Sequence, residues 1–70
     1  MYYTGTLILE GRFRNGPSQY IIPIDNIDMV TEEEDAGTCI ITKSGREAYV
    51  KISMDELYRI LEDKKRRSFG

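Results

Sequence analysis

Residues 38–61 read Thr38-Cys39-Ile40-Ile41-Thr42-Lys43, then Ser44-Gly45, then Arg46-Glu47-Ala48-Tyr49-Val50-Lys51-Ile52, then Ser53-Met54-Asp55-Glu56-Leu57-Tyr58-Arg59-Ile60-Leu61. The first and third blocks flank a two-residue connection that reads as a β-hairpin turn. Ala48, Val50 and Ile52 alternate with Glu47, Tyr49 and Lys51, the period of a half-buried strand. The partner strand is apolar on both sides, with Cys39 and Ile41 on one face and Ile40 on the other. Such a strand is either central in its sheet or covered on its second face by another subunit. Ser53 and Glu56 then form a capping box, in which the serine oxygen accepts from the N–H three residues on. Met54, Leu57, Tyr58 and Leu61, with Ile60 beside them, put one apolar stripe of a helix against the sheet. Asp55 and Glu56 at its start and Lys64 to Arg67 at its end complement the helix dipole, so the helix is expected over about 54–66.

Working back towards the N-terminus, Glu32 to Gly37 reads as a solvated loop tip, because successive like charges repel. Ile27, Met29 and Val30 lead into that tip as a strand, and Asp25-Asn26 precede it as a turn or a single helical turn. Gln19 to Ile24 reads as another strand, bent at Pro23, since proline in a sheet belongs at an edge or a bulge. Asn15-Gly16-Pro17-Ser18 marks a turn. Tyr2 to Glu10 reads as a strand weakened at Gly5, with Leu7 and Leu9 on one face and Thr6 and Ile8 on the other. Arg12-Phe13-Arg14 extends it beyond a bulge or forms a short strand of its own. The expected architecture is α+β: one domain over residues 1–70, with a small bent antiparallel sheet of about five strands and one C-terminal helix. The expected core is Leu7, Leu9, Ile22, Ile24, Ile27, Val30, Ile41, Val50, Ile52, Leu57, Ile60 and Leu61.

The order from Ile22 to Leu61 carries a family resemblance. Ile-Pro-Ile-Asp-Asn-Ile-Asp-Met-Val, an acidic loop, the Ser44-Gly45 hairpin and the capped helix resemble the first half of LytTR-type DNA-binding domains. The same stretch is similar to the short FlbD-like flagellar proteins. The resemblance implies strands followed by a helix and admits a nucleic-acid-binding regulator. In LytTR-type domains the DNA contacts come from strands and loops beyond that helix, so no functional residue carries over. Against the FlbD-like pattern, the strand before Gly11 is an addition.

Seventy residues give a core that rarely supplies more than about 3–5 kcal/mol without a staple. One cysteine, Cys39, makes no internal disulfide, and with no histidine it makes no zinc site. Self-association is therefore expected on size alone. The lack of histidine also removes the ordinary general base near neutral pH, so no enzyme and no cofactor are expected. The net charge of −2 conceals an acidic first half and a basic second half, net −5 over residues 1–35 and net +3 over 36–70. Complementary halves favour pairing between copies, or folding of the halves together, over a uniformly basic nucleic-acid footprint. No apolar run is long enough to span a membrane, and the N-terminal residues lack the pattern of a signal peptide. A cytoplasmic protein is expected.

Five constellations carry possible chemistry. Arg12, Phe13 and Arg14, with Arg46 and Tyr49, offer bidentate anion contacts and a ring for stacking, a ligand- or partner-binding set. Tyr2, Tyr3 and Ile40 are candidate interface residues, tyrosine being enriched at binding surfaces. Lys64, Lys65, Arg66 and Arg67 are candidate phosphate contacts, against the plainer reading of a solubilising helix end. Glu32, Glu33, Glu34 and Asp35 lack the spacing of a calcium loop, and no metal site is assigned. Cys39, in an apolar strand, reads as a structural thiol rather than a nucleophile. The function expected is a non-enzymatic interaction protein, a homo-oligomer that docks on or sequesters a protein partner, in the manner of accessory or phage-type inhibitory factors. The alternatives are the LytTR-like regulator and a nucleotide-binding module with its pocket at an oligomer interface.

Overall fold

A computed structural model describes residues 2–3, 5–34 and 37–66, apart from the side chains of Tyr2, Tyr3 and Arg66. The elements run β1 (Tyr2–Tyr3), β2 (Thr6–Glu10), β3 (Gln19–Pro23), a 3-10 turn (Ile24–Asn26), β4 (Ile27–Glu32), β5 (Thr38–Thr42), β6 (Glu47–Val50), α1 (Met54–Asp63) and β7 (Lys65–Arg66). Five strands form two small antiparallel sheets, β2–β3 and β4–β5–β6, and α1 follows them as the C-terminal helix. The α+β class expected from the sequence is the class observed. A third, two-residue pairing joins β1 to β7.

The expected Tyr2–Glu10 strand breaks at Gly5, whose φ of +102° lies in the left-handed region that favours glycine. The break lets Ile24 donate its N–H to the Gly5 carbonyl at 3.0 Å. Beyond it, β2 and β3 pair in register with Leu7 opposite Ile22 and Ile8 opposite Ile21. Arg12 to Arg14 form neither a strand nor an extension. They enter a turn, closed by the Gly16 N–H donating to the Phe13 carbonyl at 3.2 Å.

The two sheets meet where β2 ends. Gly11 bridges Val50, the Arg12 N–H donates to the Tyr49 carbonyl at 2.9 Å, and the Lys51 N–H donates to the Glu10 carbonyl at 3.1 Å. On its other side Gly11 donates its N–H to the Ser18 carbonyl at 2.8 Å. A Cβ at Gly11 would lie 1.9 Å from the Pro17 carbonyl oxygen, a backbone atom that cannot step aside alone. Gly11→Ala is therefore expected to cost about 1–3 kcal/mol, read as a lowered urea midpoint; an unchanged midpoint would refute this tight crossing.

Among the described residues, eight buried ones make the core: Leu7, Leu9, Ile22, Ile24, Ile40, Ala48, Val50 and Leu57. Ile27, Val30, Ile52, Ile60 and Leu61 pack partly buried against it, as does Tyr20. Two expectations for β5 are corrected. Ile40, expected at an interface, is 0 % exposed within this chain, and Ile41, expected in the core, is only half-buried. The register explains the inversion. Ile40 stands opposite Val30 on β4 and Ala48 on β6, so it shares their inward face. Ile41 stands opposite Met29 and Glu47, which point the other way. β5 is central because β4 and β6 flank it; Ile40 lies on its inward face, and on the other face Ile41 stays half-buried beside the exposed Met29.

The helix is shorter than the expected 54–66. Its N-cap is as read, with Ser53 Oγ accepting the Glu56 N–H at 3.2 Å. Leu57 is fully buried, but Tyr58, expected on the packed stripe, is exposed. Continuing the stripe from Leu57, Ile60 and Leu61 reaches Lys64 and Lys65, which are half-buried but carry charged heads in place of the apolar ends that hold the stripe on the sheet. Lys64 caps the helix, and Lys65–Arg66 pair with Tyr2–Tyr3 instead. The two buried hydroxyls have partners: Thr38 Oγ1 donates to the Ile52 carbonyl at 2.7 Å, and Thr42 Oγ1 accepts from the Arg46 N–H at 3.2 Å. Among the described residues no helix is long and apolar enough to cross a membrane.

Candidate interaction surfaces

Alternation along β2 and β3 fixes the first surface. With Leu7, Leu9 and Ile22 turned inward, Ile8 and Ile21 turn outward as direct cross-strand partners, 64 % and 71 % exposed. Thr6 and Pro23 lie beside them at one end of this face, and Glu10 and Gln19 at the other. β3 has an open edge as well: its only strand partner among the described residues is β2. Gly5–Ile24 and Gly11–Ser18 are hydrogen-bonded pairs, so alternation makes Leu7–Ile22 and Leu9–Tyr20 bonded too. The peptide groups of Gln19 and Ile21 therefore point out along the open edge. Neither isoleucine was a site candidate in the sequence, although the parity that put Ile8 opposite Leu7 and Leu9 was legible.

The second surface gathers part of the arginine–aromatic set. Phe13 and Tyr49 stand with ring centroids 5.4 Å apart at a 56° tilt, and the Arg12 guanidinium carbon lies 5.4 Å from the Phe13 centroid. The handover from β2 to β6 brings them together, since it pins Arg12 to Tyr49 through the backbone. Arg14 and Lys51 join Arg12 and Phe13 around one open depression of about 670 Å³. Arg46 does not join them. It follows the Ser44-Gly45 turn and lines a separate depression with Tyr20, Ile21 and Pro23. Three residues along a strand are about 10 Å, and an odd separation turns Arg46 to the opposite face from Tyr49.

The basic C-terminal segment divides. The Lys65 ammonium is held by Glu62 at 2.8 Å, a neighbour three residues back, so a phosphate would have to displace that carboxylate. Lys64 sits at the helix C-cap. Arg67 lies outside the described residues, as do the side chains of Arg66, Tyr2 and Tyr3. In the acidic loop the Glu33 N–H donates to the Gly37 carbonyl at 3.0 Å, with Glu32 and Glu34 exposed; Asp35 lies outside the described residues. Among the described residues no group of three or more carboxylates and thiols is placed to hold a metal ion.

Cys39 is buried opposite Tyr49 on β6 and Thr31 on β4. Burial pushes its thiol above the ordinary 9.0, and the carboxylates of Glu47 and Glu33 push the same way; hydrogen bonding from Thr31 and Tyr49 opposes them. Glu47, then Cys39, raises the Tyr49 phenol above its ordinary 10.0. Both shifts favour the protonated group in the folded chain. Above pH 9 the unfolded thiol ionises while the folded one does not, so stability is intact below that pH and falls as pH rises through the folded value. Tyr49 adds a second fall of the same sign above pH 10. Urea midpoints should hold below pH 9 and drop as the pH rises beyond it, and Cys39→Ala should flatten the first part of that drop. A midpoint independent of pH would contradict the burial of the thiol.

No protein-family model, curated protein or solved structure matches the chain.

Proposed function

We propose that this chain is a non-enzymatic cytoplasmic interaction protein that self-associates through the outer face and edge of the β2–β3 hairpin and docks on or sequesters a protein partner. The observation that carries this reading is the exposed Ile8–Ile21 pair beside the open edge of β3. Two β-branched side chains held outward at the centre of a sheet face, with polar residues at one end, have the layout of an interface core and its rim. A twofold axis at the β3 edge would bring Ile21 of each copy beside its mate and pair the free peptide groups of Gln19 and Ile21. Edge pairing lays the two sheets side by side, covering the two Ile21 side chains and leaving Ile8 on the inner strand outward; at roughly 1.5–3 kcal/mol for each fully buried isoleucine, the two contribute at most about 3–6 kcal/mol gross. Association costs about 4–15 kcal/mol, so the isoleucines alone leave little surplus and the edge hydrogen bonds are needed as well. Pro23, which has no N–H to donate, ends the pairable edge and favours a closed dimer over a growing sheet.

The non-enzymatic part of the reading rests on the absence of histidine from the sequence and on a thiol held protonated by burial. The LytTR-like alternative is weakened where Lys65 is already paired with Glu62. Native mass spectrometry of the wild-type chain at tens of micromolar tests the proposal. A dimer or higher species is expected, and a clean monomer at every concentration would overturn it.

A further inference from the structure

The depression around Phe13 is a different surface with a different chemistry. Its lining includes Arg12, Arg14 and Lys51 against the single carboxylate of Glu10, a local excess of two positive charges on a chain of net charge −2. Phe13 stands in the turn between β2 and β3, 52 % exposed although Tyr49 and Arg12 both pack against its ring. Those two neighbours hold the ring in place without covering it. Lys51 meets Glu10 at 3.4 Å, and both side chains are largely exposed, so this pair is of the weak surface kind and leaves the ammonium able to turn to an anion. Ser18 and Gln19 add neutral hydrogen-bonding groups to the same wall. At about 670 Å³ the depression falls in the range that small ligands occupy.

We infer that this depression binds a nucleoside phosphate, with the base stacked on Phe13 and the phosphates held by Arg14 and Lys51. The pairing of chemistries selects this class. An inorganic anion would use the cations and leave the ring idle, and so would an acidic peptide without an aromatic side chain. A planar base joined to a phosphate uses both, because every base has a π-face for an aromatic ring and guanidinium is matched to phosphate oxygens. The inference goes beyond self-association and does not rest on it, since all the residues named come from one copy.

Isothermal titration calorimetry with ADP, with inorganic pyrophosphate and with an octathymidylate tests it. The wild-type chain should bind ADP more tightly than pyrophosphate. Phe13→Leu should weaken ADP about tenfold or more and leave pyrophosphate unchanged, Phe13→Tyr should keep ADP binding, and Arg14→Gln should weaken both ligands. Phe13 and Arg14 are exposed turn residues, so the variants should keep the wild-type urea midpoint; the Tyr variant serves as the test of the ring should the Leu variant lose it. No heat with millimolar ADP would overturn the inference. Equal affinity for ADP and pyrophosphate, or tighter, steeply salt-dependent binding of the octathymidylate, would overturn it as well.

Discussion

Replacing Ile40 by alanine should lower the stability of this chain by about 2–5 kcal/mol, the usual cost of emptying a large side chain from a packed core. A 70-residue domain has only about 3.5–10 kcal/mol to lose, so the variant should be partly unfolded at 37 °C. The site cannot collapse to fill the space. Ile40 is 0 % exposed, and its cross-strand partners, Val30 and Ala48, are themselves short and fixed by the ladder on either side. At a slope of about 1 kcal/mol per molar urea the midpoint should fall by roughly 2 M or more. Ile41→Ala, half-buried on the opposite face, should cost clearly less. Were Ile40 an interface residue instead, its truncation would change the association constant and leave the midpoint of the dilute chain nearly untouched.

The second large effect is expected at Ile21. Lysine at this position removes the apolar centre of the outer hairpin face and sets two ammonium groups against each other across a twofold axis. Lysine on an edge strand is also a device by which natural sheets prevent edge pairing. Ile21→Lys should therefore be monomeric at concentrations where the wild-type chain associates. The folded monomer should be little changed, within about 0.5 kcal/mol, because Ile21 contributes nothing to the core and exposed substitutions away from special features are nearly neutral. The opposite responses expected at Ile40 and Ile21 separate the inside of the molecule from its proposed contact surface.

Much of this fold was legible in the sequence, and the reasons are local. Ser44-Gly45 between two alternating runs gave the β5–β6 hairpin, and Gly45 takes a φ of +88° there. Ser53 and Glu56 gave the start of the helix. Leu7 and Leu9 gave the inward face of β2. What misled was not local. In Thr38 to Thr42 both parities are apolar, so the choice between Ile40 and Ile41 depended on register with β4 and β6, which no single strand encodes. The helix end was overextended because Lys64 to Arg67 suit a helix terminus electrostatically, while the pairing of Lys65–Arg66 with Tyr2–Tyr3 joins the two ends of the described chain. The candidate ligand set was partly legible: Arg12, Phe13 and Arg14 are adjacent in sequence, and their approach to Tyr49 needed only the β2–β6 bridge. Lys51 reads in the sequence only as the outward member of an alternating strand, and the odd spacing of Arg46 from Tyr49 is the signal that turns Arg46 away from the set.

In the proposed arrangement copies of this chain meet at the outer face and edge of the β2–β3 hairpin, while β5 is interior to each copy. Sedimentation equilibrium of the wild-type and Ile21→Lys chains, run side by side over the same concentration series, tests it most directly. A concentration-dependent rise towards dimer mass is expected for the wild type and monomer mass throughout for Ile21→Lys, with matching urea midpoints for the dilute proteins. Identical mass distributions for the two chains, whether both monomeric or both associated, would contradict it.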